Sequence, residues 1–153
     1  MIAHSASQTE DLGRRLGALL RAGDVVLLSG GLGAGKSVLA RGIARGMGVT
    51  EAVPSPTFTL MNRHSGAVCA LYHMDLYRLE GADALREAGL DEYIGGDGVA
   101  VIEWPQRAPE AMPPRRLEIE IARAEDDDAR HIRWAAAGGF PPAVLQALGE
   151  GNA

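Results

Sequence analysis

The segment Gly30-Gly31-Leu32-Gly33-Ala34-Gly35-Lys36-Ser37 constrains this chain more than any other part of it. It satisfies the phosphate-loop pattern G-x-x-x-x-G-K-[ST] at every fixed position. Glycines allow the backbone to curl into a nest of N–H donors, a conformation that side chains at several of these positions would block. Lys36 offers a point charge to the outer phosphates of a nucleotide, and the Ser37 hydroxyl is a ligand for the accompanying Mg²⁺.

The residues on either side of this loop fit the strand and helix that the motif requires. The apolar run Val25-Val26-Leu27-Leu28 precedes the loop, and apolar residues from Val38 to Met47 follow it at helical spacing. The alternative is a glycine-rich turn that ends in Lys-Ser by coincidence, and it does not account for these flanks. The pattern therefore predicts a nucleotide-binding α/β domain.

Lys36 is the only lysine in the chain, because 14 of its 15 basic residues are arginine. A compact ammonium fits a nest of backbone amides in which a planar guanidinium is too bulky. The same count excludes the Asn-Lys-x-Asp stretch that gives guanine specificity, since no second lysine exists to build it. The sequence therefore favours adenine as the base of the nucleotide.

Length and charge limit the classes of function open to the chain. For 153 residues we expect one domain spanning 1–153, with about 149–153 as a frayed tail. A net charge of −5 argues against broad electrostatic capture of nucleic acid or of an anionic membrane. No apolar run approaches a membrane span, the N-terminus lacks a signal peptide, and the single Cys69 excludes an intrachain disulfide. We expect a cytoplasmic protein with no membrane partner.

The N-terminal segment is predicted to form a helix beside the first strand. Ser7-Gln8-Thr9-Glu10 is typical of a capping box, and leucines from Leu12 to Leu20 mark one face of a helix that stops at Gly23. Thr9 is a candidate for the adenine site, with a plain surface cap as an equal alternative.

A loop rich in proline and hydroxyl groups follows the phosphate-loop helix. Its two prolines forbid regular helix and present the hydroxyls of Ser55, Thr57 and Thr59. A nucleotide-sensing switch occupies this position in phosphate-loop proteins, and an ordinary proline-rich connection is the alternative.

Two acids are predicted to lie at strand ends. Extended stretches at 58–63 and 67–75 form a predicted hairpin that ends in Asp75, beside His73. Asp75 is positioned to orient a water, help hold Mg²⁺ or accept a proton; alternatively, it caps the next turn while His73 packs with Tyr77.

The apolar run Val99–Ile102 fits a parallel strand buried on both faces, and it ends in Glu103-Trp104-Pro105. An acid at the carboxyl end of such a strand is the Walker-B group that positions Mg²⁺, so Glu103 is the leading metal ligand. Trp104 is interpreted as a core or rim anchor rather than a catalytic group.

A second hairpin is predicted at the sheet edge, from 117–121 and 129–134, with an acidic turn between its strands. Its Arg130 and Arg133 either reach the nucleotide or solvate the edge. A short helix follows at 141–148. Together these elements predict a three-layer α/β P-loop NTPase fold, with a mostly parallel central sheet and antiparallel hairpin strands at its edges.

Four segments, in this order along the chain, resemble the TsaE (formerly YjeE) family of small bacterial P-loop ATPases of tRNA threonylcarbamoyladenosine biosynthesis. They are Leu32-Gly33-Ala34-Gly35-Lys36-Ser37, Ser55-Pro56-Thr57-Phe58-Thr59-Leu60, His73-Met74-Asp75-Leu76-Tyr77-Arg78 and Glu103-Trp104-Pro105. Four motifs in family order are far more specific than a phosphate loop alone. Ser37 keeps the hydroxyl of the threonine that is common in the family.

The resemblance implies an ATPase that acts with the TsaD–TsaB transferase complex, and through it on tRNAs that read ANN codons. Its implied cofactors are ATP or ADP and Mg²⁺, with the nucleotide held by residues 32–37 and approached by Arg130. Ser37 and Glu103 would ligate the metal and Asp75 would support hydrolysis near it, so that Lys36, Asp75 and Glu103 form the catalytic set. The 55–60 segment would act as the switch.

Two other functions stay open at this point. In a small-molecule kinase, Asp75 would serve as the base for an acceptor hydroxyl, although the chain has no arginine-rich lid segment of the kind that closes over phosphates. In a nucleotide-gated binding module, the same site would bind ATP without useful hydrolysis.

Overall fold

The computed structural model describes residues 1–149, so nearly all of the predicted tail at 149–153 lies outside the described residues. Within them, seven strands form one sheet. The strands are β1 (Ile2–Ala3), β2 (Val25–Ser29), β3 (Met61–Ser65), β4 (Ala70–Asp75), β5 (Val99–Glu103), β6 (Arg116–Arg123) and β7 (Arg130–Ala137). The helices are α1 (Ala6–Gly17), α2 (Lys36–Gly46), α3 (Ala82–Glu87) and α4 (Pro142–Leu148).

The sheet has the strand order β1-β7-β6-β2-β5-β4-β3. The four central strands β6, β2, β5 and β4 are parallel to one another, and the pairs at both sides are antiparallel. This mixed sheet confirms the predicted α/β fold. The predicted hairpin of β6 and β7 lies at one side of the sheet, and the two-residue strand β1 pairs with β7 beyond it. Strand β1 was not predicted, because two residues are too few to show any alternation in the sequence.

Both faces of the sheet are covered, because alternate residues of the central strands enter two different cores. Val26 and Leu28 of β2 pack on one side with residues from α1, α2 and α4. Val25 and Leu27 pack on the other side with residues from α3 and from the turns around it. These are the three predicted layers. No helix within residues 1–149 combines the length and the apolar character needed to cross a membrane.

Helices α1 and α2 pack at unusually close range through glycines on both of them. A Cβ atom at Gly17 would lie 2.1 Å from the carbonyl oxygen of Ile43, and one at Gly46 would lie 2.1 Å from that of Arg14. These distances leave no room for a side chain, so backbone meets backbone. Helix α1 therefore fixes the position of the helix that begins at the phosphate loop.

Several predicted boundaries are corrected by local hydrogen bonds. The N-cap of α1 is Ser5 rather than Ser7, because its Oγ accepts from the Gln8 amide at 3.1 Å. The helix ends at Gly17 rather than Gly23, although the leucines beyond it still pack against the same core. Strand β3 starts at Met61 rather than Phe58, since residues 57–60 form a turn closed by the Leu60 amide on the Pro56 carbonyl at 2.9 Å.

Candidate active site

The phosphate loop connects the end of β2 to the start of α2, as its motif requires. Gly35, the N-cap of α2, has φ +110°, in the left-handed region that favours glycine. At Gly30 a Cβ atom would lie 2.3 Å from the Ile121 carbonyl oxygen of β6. The loop thus needs glycine at both ends, and it leaves Gly31 and Leu32 exposed between them.

The Lys36 ammonium lies at the centre of the site rather than in solvent. Its Nζ donates to the Gly30 carbonyl oxygen at 2.5 Å and lies 3.8 Å from the centroid of the Trp104 ring. Burial lowers the pKa of Lys36 below its ordinary value, and the charges of Glu103 and Asp75 oppose that shift only in part. A buried ammonium in this position is prepared to pair with an anion at the loop.

Asp75 and Glu103 are neighbours, because the parallel register of β4 and β5 places them opposite each other at the ends of their strands. Both side chains are buried, with 5% and 3% of their residue surface exposed. The Asp75 Oδ1 accepts from the Tyr77 amide at 2.9 Å, so the turn-capping contact that was considered as the alternative does exist. Its Oδ2 accepts from the Thr57 hydroxyl at 3.4 Å and is therefore linked to the predicted switch.

His73 is hydrogen-bonded to Glu103. The His73 Nε2 donates to the Glu103 Oε2 at 2.6 Å, and both side chains are buried. The other ring nitrogen, Nδ1, has no hydrogen-bond partner in the described part of the chain. One carboxylate oxygen of Glu103 accepts this hydrogen bond, so His73 orients the Glu103 carboxylate. Metal-binding acids are commonly oriented by hydrogen bonds of this kind.

Two of the three predicted switch hydroxyls reach the site. The Ser55 and Thr57 hydroxyl oxygens lie 2.8 Å apart, and Thr57 continues this chain to Asp75. Thr59 turns away and donates to the Asn62 Oδ1 at 2.9 Å. Phe58, between them, is 80% exposed.

The remaining predicted residues occupy different positions relative to the loop. Ser37 is exposed in the first turn of α2, one residue after Lys36. Arg130 contacts the loop backbone, because its Nε donates to the Ala34 carbonyl at 2.6 Å. Thr9 is buried in α1, where its hydroxyl donates to the Ser5 carbonyl of its own helix at 3.4 Å. Arg133 faces Glu120 at 3.6 Å and is exposed.

Trp104 packs against the core on the α3 side of the sheet, as predicted for a rim anchor, and it also belongs to the site. It adopts φ +58°, which is uncommon for a bulky residue, and it places its ring against the Lys36 ammonium and 4.8 Å from the Tyr77 ring. The sequence feature that could have indicated this role is the position of Trp104 between an acid and a proline at the end of a buried strand.

These residues fit a nucleotide with Mg²⁺. No three His, Cys, Asp or Glu side chains within residues 1–149 form a ready-made metal cluster. Mg²⁺ at a phosphate loop does not need one, since it takes oxygen ligands from one hydroxyl, one or two carboxylates, phosphates and water. Ser37, Asp75 and Glu103 supply such oxygens beside a glycine cradle.

Comparison with known proteins is consistent with this arrangement. Residues 3–132 match the family model described as "Threonylcarbamoyl adenosine biosynthesis protein TsaE". The tRNA threonylcarbamoyladenosine biosynthesis protein TsaE of Bacillus subtilis is 44% identical over 86% of this chain and 81% of its own length. The Streptomyces coelicolor protein of that name is 45% identical over 83% of this chain and 94% of its own length.

A solved structure agrees with the fold. The crystal structure of Bacillus subtilis YdiB superposes with a TM-score of 0.83 at 36% identity, covering 97% of this chain and 91% of that one. Fold, motifs and relatives all agree, and the chain belongs to the TsaE family of tRNA threonylcarbamoyladenosine biosynthesis proteins.

Proposed function

We propose that this protein binds MgATP at residues 30–37 and hydrolyses it to ADP and phosphate during tRNA threonylcarbamoylation. The observation that carries the proposal is the Lys36 ammonium, which is buried beside the loop between the Gly30 carbonyl and two carboxylates. Burial disfavours this charge, so an incoming phosphate group relieves part of the cost.

Each residue of the site has a role in this proposal. The loop amides and Lys36 bind the phosphates, and Ser37 with Glu103 would hold Mg²⁺, whose chemistry is to neutralise charge on the phosphates. His73 keeps Glu103 oriented through the 2.6 Å bond. Asp75, at the end of the neighbouring strand, orients the attacking water or accepts its proton.

The Ser55–Thr57–Asp75 hydrogen bonds connect the site to its exterior. Because Thr57 bonds to Asp75, a change at that carboxylate alters the contacts of the 55–60 loop. Ordered by ATP, this loop would dock on the TsaD–TsaB complex, and hydrolysis would release it. tRNAs that read ANN codons would be reached only through that complex, in keeping with the net charge of −5.

The test is ATP turnover by the full-length chain, alone and with the purified TsaD–TsaB pair, in the presence and absence of tRNA. We expect slow turnover alone and acceleration by the pair, with Asp75→Asn reducing the turnover while ATP is still bound. A rate that neither the pair nor tRNA changes, together with no binding of the ATP-loaded protein to the pair, would reject the coupling. Full tRNA modification with a non-hydrolysable ATP analogue would reject the need for hydrolysis.

A further inference from the structure

The tip of the β6–β7 hairpin extends beyond the end of β2 and lies against the phosphate loop. Ser29, the last residue of β2, pairs with Glu120, and β6 continues for three more residues to Arg123. At the rise of a strand, this extension is about 10 Å long. It carries Arg123 past the end of β2 to the level of the loop.

The alternation of the strand directs Arg123 toward the loop. Arg123 lies on the same face of β6 as Ile121, which is fully buried, and the Ile121 Cδ1 lies 3.2 Å from the Cβ position of Gly35. The Arg123 guanidinium lies against Gly33, because a Cβ atom built on Gly33 would lie 2.7 Å from the Arg123 Nη2. Glycine at position 33 leaves the space in which this guanidinium lies.

Arg123 and Arg130 are directly opposite each other across the hairpin, and like charges in this arrangement repel. Arg130 is committed to backbone carbonyls, those of Ala34 at 2.6 Å, Asp127 at 2.6 Å and Ala129 at 2.8 Å. The Arg123 side chain makes no hydrogen bond or ion pair within residues 1–149, and this includes the carboxylates of the acidic turn at 125–128. Arg123 and Arg130 are thus two facing cations beside the phosphate loop, and the Arg123 side chain has no partner among the described residues. This arrangement is complementary to an anion.

We propose that Arg123 is a nucleotide-binding residue that pairs with the phosphates of ATP from the hairpin side of the loop. This inference rests on the proposed function. Lys36 approaches the loop from the β5 side, where it lies near Glu103, so the two cations enclose the loop from the two neighbours of β2. Arg130 acts differently: it holds the loop carbonyls outward and so positions the loop.

The chain offers a matched control on the opposite face of the same hairpin. Arg133 is exposed and faces Glu120 across β6 and β7, and it follows Ile132, which is buried on the face that Arg123 shares. Arg123→Gln and Arg133→Gln remove the same charge from the same hairpin. They remove it from opposite faces, and only Arg133 has a carboxylate partner, Glu120.

The experiment is calorimetric titration of full-length wild type, Arg123→Gln and Arg133→Gln with MgATP and MgADP at two salt concentrations. We expect Arg123→Gln to weaken MgATP binding about tenfold and to reduce its salt dependence, and Arg133→Gln to change affinity less than about twofold. Equal affinity of wild type and Arg123→Gln, or equal weakening by both variants, overturns the role of Arg123 and leaves the proposed function intact. A wild type that binds neither nucleotide overturns both proposals.

Discussion

The His73→Leu substitution tests how strongly the candidate site depends on one buried hydrogen bond. His73 and Glu103 have side chains that are 2% and 4% exposed, with 2.6 Å between their bonded atoms. Removing the donor leaves a buried carboxylate without its partner, at a cost of roughly 1.5–3 kcal/mol. For a chain of this length, about 2 kcal/mol corresponds to a lowering of Tm by roughly 4–8 °C.

His64 on the adjacent strand provides the matched control. Its side chain is 5% exposed and its Nδ1 lies 3.2 Å from the Glu51 carboxylate, but Glu51 is 59% exposed. Each histidine also has one buried ring nitrogen without a hydrogen-bond partner in the described region. His64→Leu therefore makes a similar change of volume and polarity but leaves no buried carboxylate without a partner, since water solvates Glu51.

Equilibrium urea unfolding of both variants measures the difference. We expect His73→Leu to lose about 1.5–3 kcal/mol more stability than His64→Leu, and a second substitution, Glu103→Gln, to restore part of the loss by removing the unpaired charge. Equal losses in the two histidine variants, or no recovery in the double variant, would refute this account of how Glu103 is held.

Two further predictions concern the phosphate loop and its helix. Gly46→Ala should destabilise the protein by about 1–3 kcal/mol, because the new methyl carbon would lie 2.1 Å from the Arg14 carbonyl oxygen. Gly31→Ala is the control, because its methyl carbon would meet nothing within 4 Å. The measurement compares the free energies of unfolding of the two variants with that of wild type. The lowered pKa of Lys36 means that the unfolded chain holds this proton more tightly, so the stability of wild type relative to Lys36→Met should rise with pH up to the ordinary value of 10.5. A relative Tm that falls over this alkaline range would contradict the burial of the charge.

Local patterns were sufficient to predict the loop, the strand before it and the acid at the end of β5. In these cases the motif, the apolar run and the punctuating glycine or proline lie within a few residues of one another. Asp75 was also placed correctly at a strand end. That it lies beside Glu103 was not predicted, because this depends on the parallel pairing of β4 with β5.

The features that the sequence did not predict depend mainly on contacts between residues that are distant along the chain. The bond between His73 and Glu103 joins positions 30 residues apart, and its existence depends on strand register. Trp104 packs at the rim of a core as predicted, but its contact with Lys36 was not predicted, because it follows from a left-handed backbone at a strand end. Strand β1 escaped detection because two residues carry no periodicity.

The most direct measurement is a calorimetric titration of MgATP into wild type and Lys36→Met, with folding of both verified by circular dichroism. The proposed nucleotide site predicts one bound equivalent in wild type and binding about 100-fold weaker in the folded variant, because the buried ammonium at the Gly30 carbonyl is lost. Equal affinity for MgATP in the two proteins would contradict it.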